Sequence, residues 1–344
     1  MDAASRQRRN VLLVGSLGVD SAAEAFQSLA ATVGDLAKRY PDGEPGPRKR
    51  WVMWQAEMLD RHPQFEAAEE KRVGSMPLRQ RTLKAGVNPK DVVFDRLGYA
   101  DEAIKSYATF QRLKKDGVVP ASVRFQVSLP TPTCFVVAHI VPSLQTQVEA
   151  AYERALRKEI EQIAAHVPVN QLAVQWDVAH EIVALDGGMK ISYEPTTASV
   201  AQHLLRLAAL VPEGAELGFH FCYGDPGHKH IIEPKDLATC VALANELAER
   251  CTRRIDWIHM PVPRNRQDDA YFAPLESLRL KSGTELNLGL IHLTDGADGT
   301  RKRIAAAQKH AGPFGVSTEC GFGRRPADTV LPLLKLHAEI AKAG

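Results

Sequence analysis

The chain has 344 residues, 44% hydrophobic and 24% charged, enough for a large core in one or two domains. A net charge of +2 excludes the general electrostatic pull on which nucleic-acid and membrane-surface binders rely. Basic Arg6, Arg8 and Arg9 lead into only a short apolar run, Val11 to Val14, too short for a signal peptide or a membrane span. The five cysteines, Cys134, Cys222, Cys240, Cys251 and Cys320, are odd in number and scattered, as in a reduced cytoplasmic protein whose thiols are buried or metal-bound.

Asn10 to Ser16 reads as a buried strand, followed by a helix from about Asp20 to Leu36 with Ala25, Phe26, Leu29 and Val33 on its apolar side. A weak strand over 36–42 runs into a turn-rich stretch, Tyr40 to Pro47, that surrounds Asp42 and Glu44. Residues 45–97 are charged, hold Trp51 and Trp54, and show poor periodicity, so they read as a long loop with helical pieces. Loops of that length tend to be functional.

From Tyr99 the pattern becomes regular. It predicts a helix capped by Asp101 and running to about Lys115, a strand over 123–129 ending in Pro130-Thr131-Pro132-Thr133, and a long amphipathic helix from Ser143. Strands over 171–177, 216–222, 255–260, 285–292 and 314–318 follow, with helices over 197–210, 234–250, 299–310 and from Pro326. Eight strands alternating with helices imply a parallel sheet, closed as a single α/β barrel of the (β/α)8 TIM-like type over 1–344, with 45–97 inserted after the second strand.

In such barrels reactive side chains stand at the C-terminal strand ends. Ser16, Glu44, Asp177, His220, Cys222, His259, His292 and Cys320 all fall there and should converge on one mouth. Alternation points His220 and Cys222 the same way and sends Phe219 and Phe221 toward the helices. An imidazole with two thiols favours zinc among common metals, and three protein ligands with an open position is the catalytic form of such a site. The competing reading of Cys222 is a small buried hydrophobe, which is the better reading of Cys134, Cys240 and Cys251. His228 and His230 read as surface loop residues, with substrate contact the lesser alternative, and Arg48, Lys49, Arg50, Arg324 and Arg325 near the mouth mostly as solvated charge, with an anionic substrate the alternative.

Five short motifs then fall into a known order. Val14-Gly15-Ser16, Asp42-Gly43-Glu44-Pro45, Val174-Gln175-Trp176-Asp177, His220-Phe221-Cys222-Tyr223 and Glu319-Cys320-Gly321 resemble the I-G-S, H-G-E-P, I-Q-I-D, H-M-C-Y and D-C-G motifs of one family. It is the catalytic barrel of cobalamin-independent methionine synthase, in the methionine-synthase and uroporphyrinogen-decarboxylase-like superfamily. The resemblance implies zinc on His220, Cys222 and Cys320, and Ser16, Glu44 and Asp177 holding the amino-acid part of homocysteine.

Three departures accompany it. Pro261 stands where the family has a glutamate ligand; either His259, two residues earlier on the same strand face, replaces it, or the site keeps only three protein ligands. The family's D-E-P continues here as Asp177-Val178-Ala179-His180, and the tryptophan region that seats a folate pterin has no clear counterpart.

The resulting expectation is a zinc-dependent methyl- or alkyltransferase that holds a small thiol such as homocysteine as a thiolate, with Asp177 and His259 as candidate catalytic residues. Its methyl donor would be a methylated folate, a corrinoid or a methoxylated compound. No nucleic-acid or membrane partner is expected, and a homo-oligomer is compatible with the chain. The alternatives are a lyase or decarboxylase of the same superfamily and a non-catalytic metal- or ligand-binding barrel.

Overall fold

Seven parallel strands frame the molecule, seen in a computed structural model that describes residues 8–68, 71–73, 76–224 and 229–343. In chain order the strands are β1 (Arg39–Pro41), four short strands β2 (Phe65–Ala67), β3 (Lys71–Val73), β4 (Met76–Leu78) and β5 (Arg81–Leu83), then β6 (Arg124–Pro130), β7 (Leu172–Val178), β8 (Glu216–Phe221), β9 (Trp257–Pro261), β10 (Glu285–Gly289) and β11 (Gly315–Val316). The main sheet runs β1-β6-β7-β8-β9-β10-β11, with every neighbouring pair parallel, and it curls as expected of a TIM-like barrel.

The segment expected as the first strand closes this curl without a regular ladder of its own. Val11 bridges Val316 on one side, and Ser16 bridges Gly43 on the other, both in parallel sense. Inside, the Gln126 amide donates to the carbonyls of Leu13 and Val14 (2.9 and 3.1 Å), and Gln175 also donates to Val14 (2.6 Å). Carbonyls that a neighbouring strand would serve are thus taken by side chains within the barrel, which satisfies the backbone and interrupts the ladder. Beneath, Arg39 binds Glu216 and Glu285 and lies 4.2 Å over the Trp257 ring, which packs with Leu12 and Ala173.

The sequence reading misses the buried helices Pro132–His139 and His180–Leu185. Both are short and almost wholly buried, so neither shows the two-faced pattern by which helices are read. The helix Tyr99–Lys115 is capped by Gly98 rather than Asp101. Its free N–H groups are instead served by Glu159 from the helix Gln145–His166, which accepts from Leu97 (2.7 Å), Gly98 (3.2 Å) and Ala100 (2.5 Å). Segment 45–97 contains a 3-10 run (Gly46–Gln55), a helix (Ala56–Arg61) and two antiparallel pairs, β2 with β5 and β3 with β4. Among the described residues no helix is long and apolar enough to cross a membrane.

Candidate metal and substrate site

β8 delivers the first two site residues by its pleat. Phe219 and Phe221 are fully buried in the main apolar core, while His220 and Cys222 turn to the opposite face. After Val316 the chain leaves the sheet and carries Cys320 across the mouth. The ligand atoms of His220, Cys222 and Cys320 then all lie within 4.8 Å of one another. Among the described residues, no other histidine, cysteine or carboxylate joins them at that spacing. The Cys222 sulfur accepts the N–H of Gly224 at 3.2 Å.

Close backbone packing sets Cys320. A Cβ at Gly321 would stand 2.5 Å from the Ser16 hydroxyl, and one at Gly323 2.5 Å from the Ser16 Cβ. Without side chains there, the Gly323 N–H donates to the Ser16 hydroxyl (3.2 Å) and the Phe322 N–H to its carbonyl (2.9 Å). The first and last site motifs therefore form one contact surface.

Glu44 and Asp177 form the acidic side. The Glu44 N–H donates to Asp42 Oδ1 (2.9 Å), while Asp42 Oδ2 accepts from Arg48 (2.7 Å) and from the Ser106 hydroxyl (2.7 Å). Arg48 is thereby committed to Asp42, and Lys49 pairs with Asp20 at 3.1 Å. Asp177 Oδ1 accepts from Gln175 Nε2 (2.9 Å) and Oδ2 from the Trp51 indole N–H (3.0 Å). Burial pushes Asp177 up to about 8 against the Gln175 hydrogen bond, with the charge of Cys320 adding to the rise. Burial, then repulsion from Asp177, raises Glu44 to about 8 despite Arg48. Asp177 is buried and Glu44 half-buried, and each is held mostly in its neutral form at pH 7.

Trp51 is the site residue that sequence reasoning missed. It adopts φ 52 and ψ −135, a conformation costly for any residue with a Cβ. Its ring meets His180 edge-on at 5.7 Å and packs on the Cys134, Ala179 and Cys222 cluster beside Cys320. The only signal for it was an aromatic residue in a charged stretch. Cys134 donates to Glu181 (3.4 Å) and to the Asp177 carbonyl (3.7 Å), whereas Cys240 and Cys251 sit in the main apolar core.

His259 is fully buried behind His220 rather than among the clustered ligand atoms. Its Nδ1 lies 2.8 Å from His220 Nδ1, and its Nε2 lies 3.0 Å from the Thr318 carbonyl oxygen. Burial lowers both rings, His259 to about 4, so both are neutral at pH 7. Pro261 instead lines the cavity beside Cys222 and Cys320, together with His230, His292, Glu319 and Arg325.

His230 is not the surface residue that its loop suggested, for its side chain is only 11% exposed and lies between Glu319 (3.2 Å) and Glu233 (3.1 Å). Burial opposes its charge, but those two carboxylates outweigh it and raise His230 to about 9. Glu319 lines the cavity because the chain has left the sheet, so strand alternation no longer turns it away. His292 Nε2 is 2.8 Å from the Val262 carbonyl oxygen, and burial lowers its pKa to about 4. His228 lies outside the described residues.

Comparison with solved structures finds the same fold in a B12-independent methionine synthase from Shewanella sp., described in complex with selenomethionine, at 16% identity and a TM-score of 0.57 over 93% of this chain and 84% of that one. A putative vitamin-B12-independent methionine synthase from Listeria monocytogenes matches at 14% identity and a TM-score of 0.51, over 93% of this chain and 86% of that one. No family model matches the chain, and neither does any curated protein. At these identities the likeness is one of architecture, the TIM-like α/β barrel that the chain shares with these two structures.

Proposed function

We propose that the chain is an enzyme that transfers a methyl group to a small thiol, homocysteine or a close analogue, at a zinc ion held by His220, Cys222 and Cys320. The observation that carries this reading is the convergence of those three ligand atoms within 4.8 Å, beside the carboxylate pair of Glu44 and Asp177. Zinc bonds of about 2.3 Å to sulfur and about 2.0 Å to nitrogen can meet at one point among them after small side-chain movements. When bound, zinc would act as a Lewis acid that lowers the pKa of a thiol at the open position.

The remaining work belongs to the chain. Gly224 steadies the Cys222 sulfur through its N–H. Glu44 and Asp177 hold an ammonium group, whose positive charge relieves the repulsion between them and pulls both toward the ionised form. Ser16, fixed by Gly323, offers a hydroxyl on the same side. With its ammonium end gripped, an amino-acid thiol would be oriented for in-line attack by its sulfur on a methyl donor, forming the S–CH3 bond as the donor–CH3 bond breaks and the demethylated donor leaves with the bonding electrons. A methylated folate, a corrinoid or a methoxylated compound is the donor.

Metal analysis together with a methyl-transfer assay tests this directly. Purified protein should hold about one zinc per chain, and His220→Ala, Cys222→Ser and Cys320→Ser should each lose metal and activity together. Retention of both by all three variants would overturn the proposal.

A further inference from the structure

The ring nitrogens of His220 and His259 face each other, and the position of one proton decides which nitrogen of His220 can meet a metal. His259 Nε2 lies 3.0 Å from the Thr318 carbonyl oxygen, which only accepts, so that nitrogen carries hydrogen. In a neutral ring the other nitrogen is then bare. His259 Nδ1 therefore accepts the Nδ1–H of His220 across 2.8 Å, and His220 Nε2 keeps its lone pair.

The partner of His259 belongs to the segment that bears Cys320. Thr318 also donates through its hydroxyl to the Cys320 carbonyl at 2.8 Å. His220 on β8, His259 on β9 and the 318–320 segment beyond β11 are thus joined by one run of hydrogen bonds that passes over the end of β10. It crosses where β10 ends in Gly289, and a Cβ there would stand 2.7 Å from Glu319 Cα and 3.1 Å from the Thr318 carbonyl oxygen. A bulkier residue at 289 would push Thr318 out of place.

We propose that His259 is the positioning residue of this centre, fixing His220 as the Nδ1–H tautomer so that Nε2 keeps the lone pair a metal ligand needs, and tying the Cys320 segment to it. The idea rests on the metal reading above only for its purpose, since the tautomer and the tie exist in the metal-free protein. A hydrogen-bonded partner behind a ligand histidine sets ring orientation and typically changes metal affinity by about 10–100-fold.

The first test is long-range 15N–1H correlation NMR on metal-free protein labelled at histidine. It should show His220 protonated on Nδ1 and His259 on Nε2; a His220 protonated on Nε2 would overturn the proposal. This result stands whether or not zinc binds, so failure of the zinc reading is seen separately as wild-type protein that takes up no metal.

The second test is zinc affinity by competition with a chromophoric chelator. His259→Phe should bind about 10–100-fold more weakly than wild type. His259→Gln, whose amide can accept from His220 and donate to Thr318, should recover to within about threefold. Gly289→Ala, which leaves both rings in place, should also weaken binding by displacing Thr318 and so tests the tie where His259→Phe fails to fold. Wild-type affinity in both His259→Phe and Gly289→Ala would overturn the proposal.

Discussion

Glu44→Gln should alter the pH dependence of stability. Burial and repulsion from Asp177 raise the Glu44 carboxyl from 4.5 to about 8, and in the unfolded chain it returns to its ordinary value. Between those two values the folded protein holds a proton that the unfolded chain has released. Stability from this group is therefore highest below pH 4.5 and falls as pH rises toward 8. At about 1.36 kcal/mol per pH unit, the passage from 4.5 to neutrality removes ~3 kcal/mol. Glutamine is nearly isosteric and does not ionise, so the variant keeps that contribution.

The assay is thermal unfolding of metal-free wild type and variant at half-unit steps from pH 5 to pH 8. The two should coincide near pH 5 and separate steadily, with the variant melting roughly 5 °C higher at pH 7.5. Parallel curves would refute the reasoning, because they would mean that Glu44 is not held protonated by its surroundings. A small ammonium ligand offers an internal control: by supplying the missing countercharge it should stabilise wild type more as pH rises, and do little for the variant.

Trp51→Phe keeps the ring and removes the N–H that supports the charge on Asp177. It should cost about 1–2 kcal/mol above pH 8, where Asp177 is ionised, and almost nothing at pH 6; equal loss at both values in the same melting assay would show that the ring alone matters. Gly218→Val should cost about 3 kcal/mol or more, because a side chain there would fall within the Trp257 ring. An unchanged melting temperature would show that the barrel interior has room to repack.

The barrel was legible because its evidence is periodic. Strands β6 to β9 were placed within about two residues, since runs such as Leu172–Val178 are short, apolar and bounded by turns. What the sequence hid was local structure supplied from a distance. The cap of Tyr99–Lys115 comes from Glu159, and the middle of the first strand is held by Gln126 and Gln175, with neighbouring backbone meeting it only toward its ends. The shared direction of His220 and Cys222 could be read from the sequence because a pleat fixes it, whereas Cys320 lies beyond β11 and is set by the close packing of Gly321 and Gly323 on Ser16. Trp51 and His230 could not be read in this way, because the backbone around them has no period to extrapolate.

The same contrast explains the most consequential departure, Pro261. Proline is tolerated there because it ends β9, where its carbonyl accepts the Tyr271 hydroxyl at 2.9 Å and its partner across the sheet is Gly289. It supplies no ligand, and His259, the next residue inward on that face, is occupied by His220 and Thr318. Two thiolates and a neutral imidazole balance a divalent cation to zero, whereas an added glutamate would leave the centre at minus one. By Coulomb's law the neutral centre attracts a further anionic ligand more strongly, all the more in a buried, low-dielectric mouth. Under the proposed zinc reading, a centre with proline at 261 would be electrostatically suited to holding a thiol in its anionic form, with the grip on His220 and Cys320 supplied by the hydrogen-bonded run through His259 and Thr318.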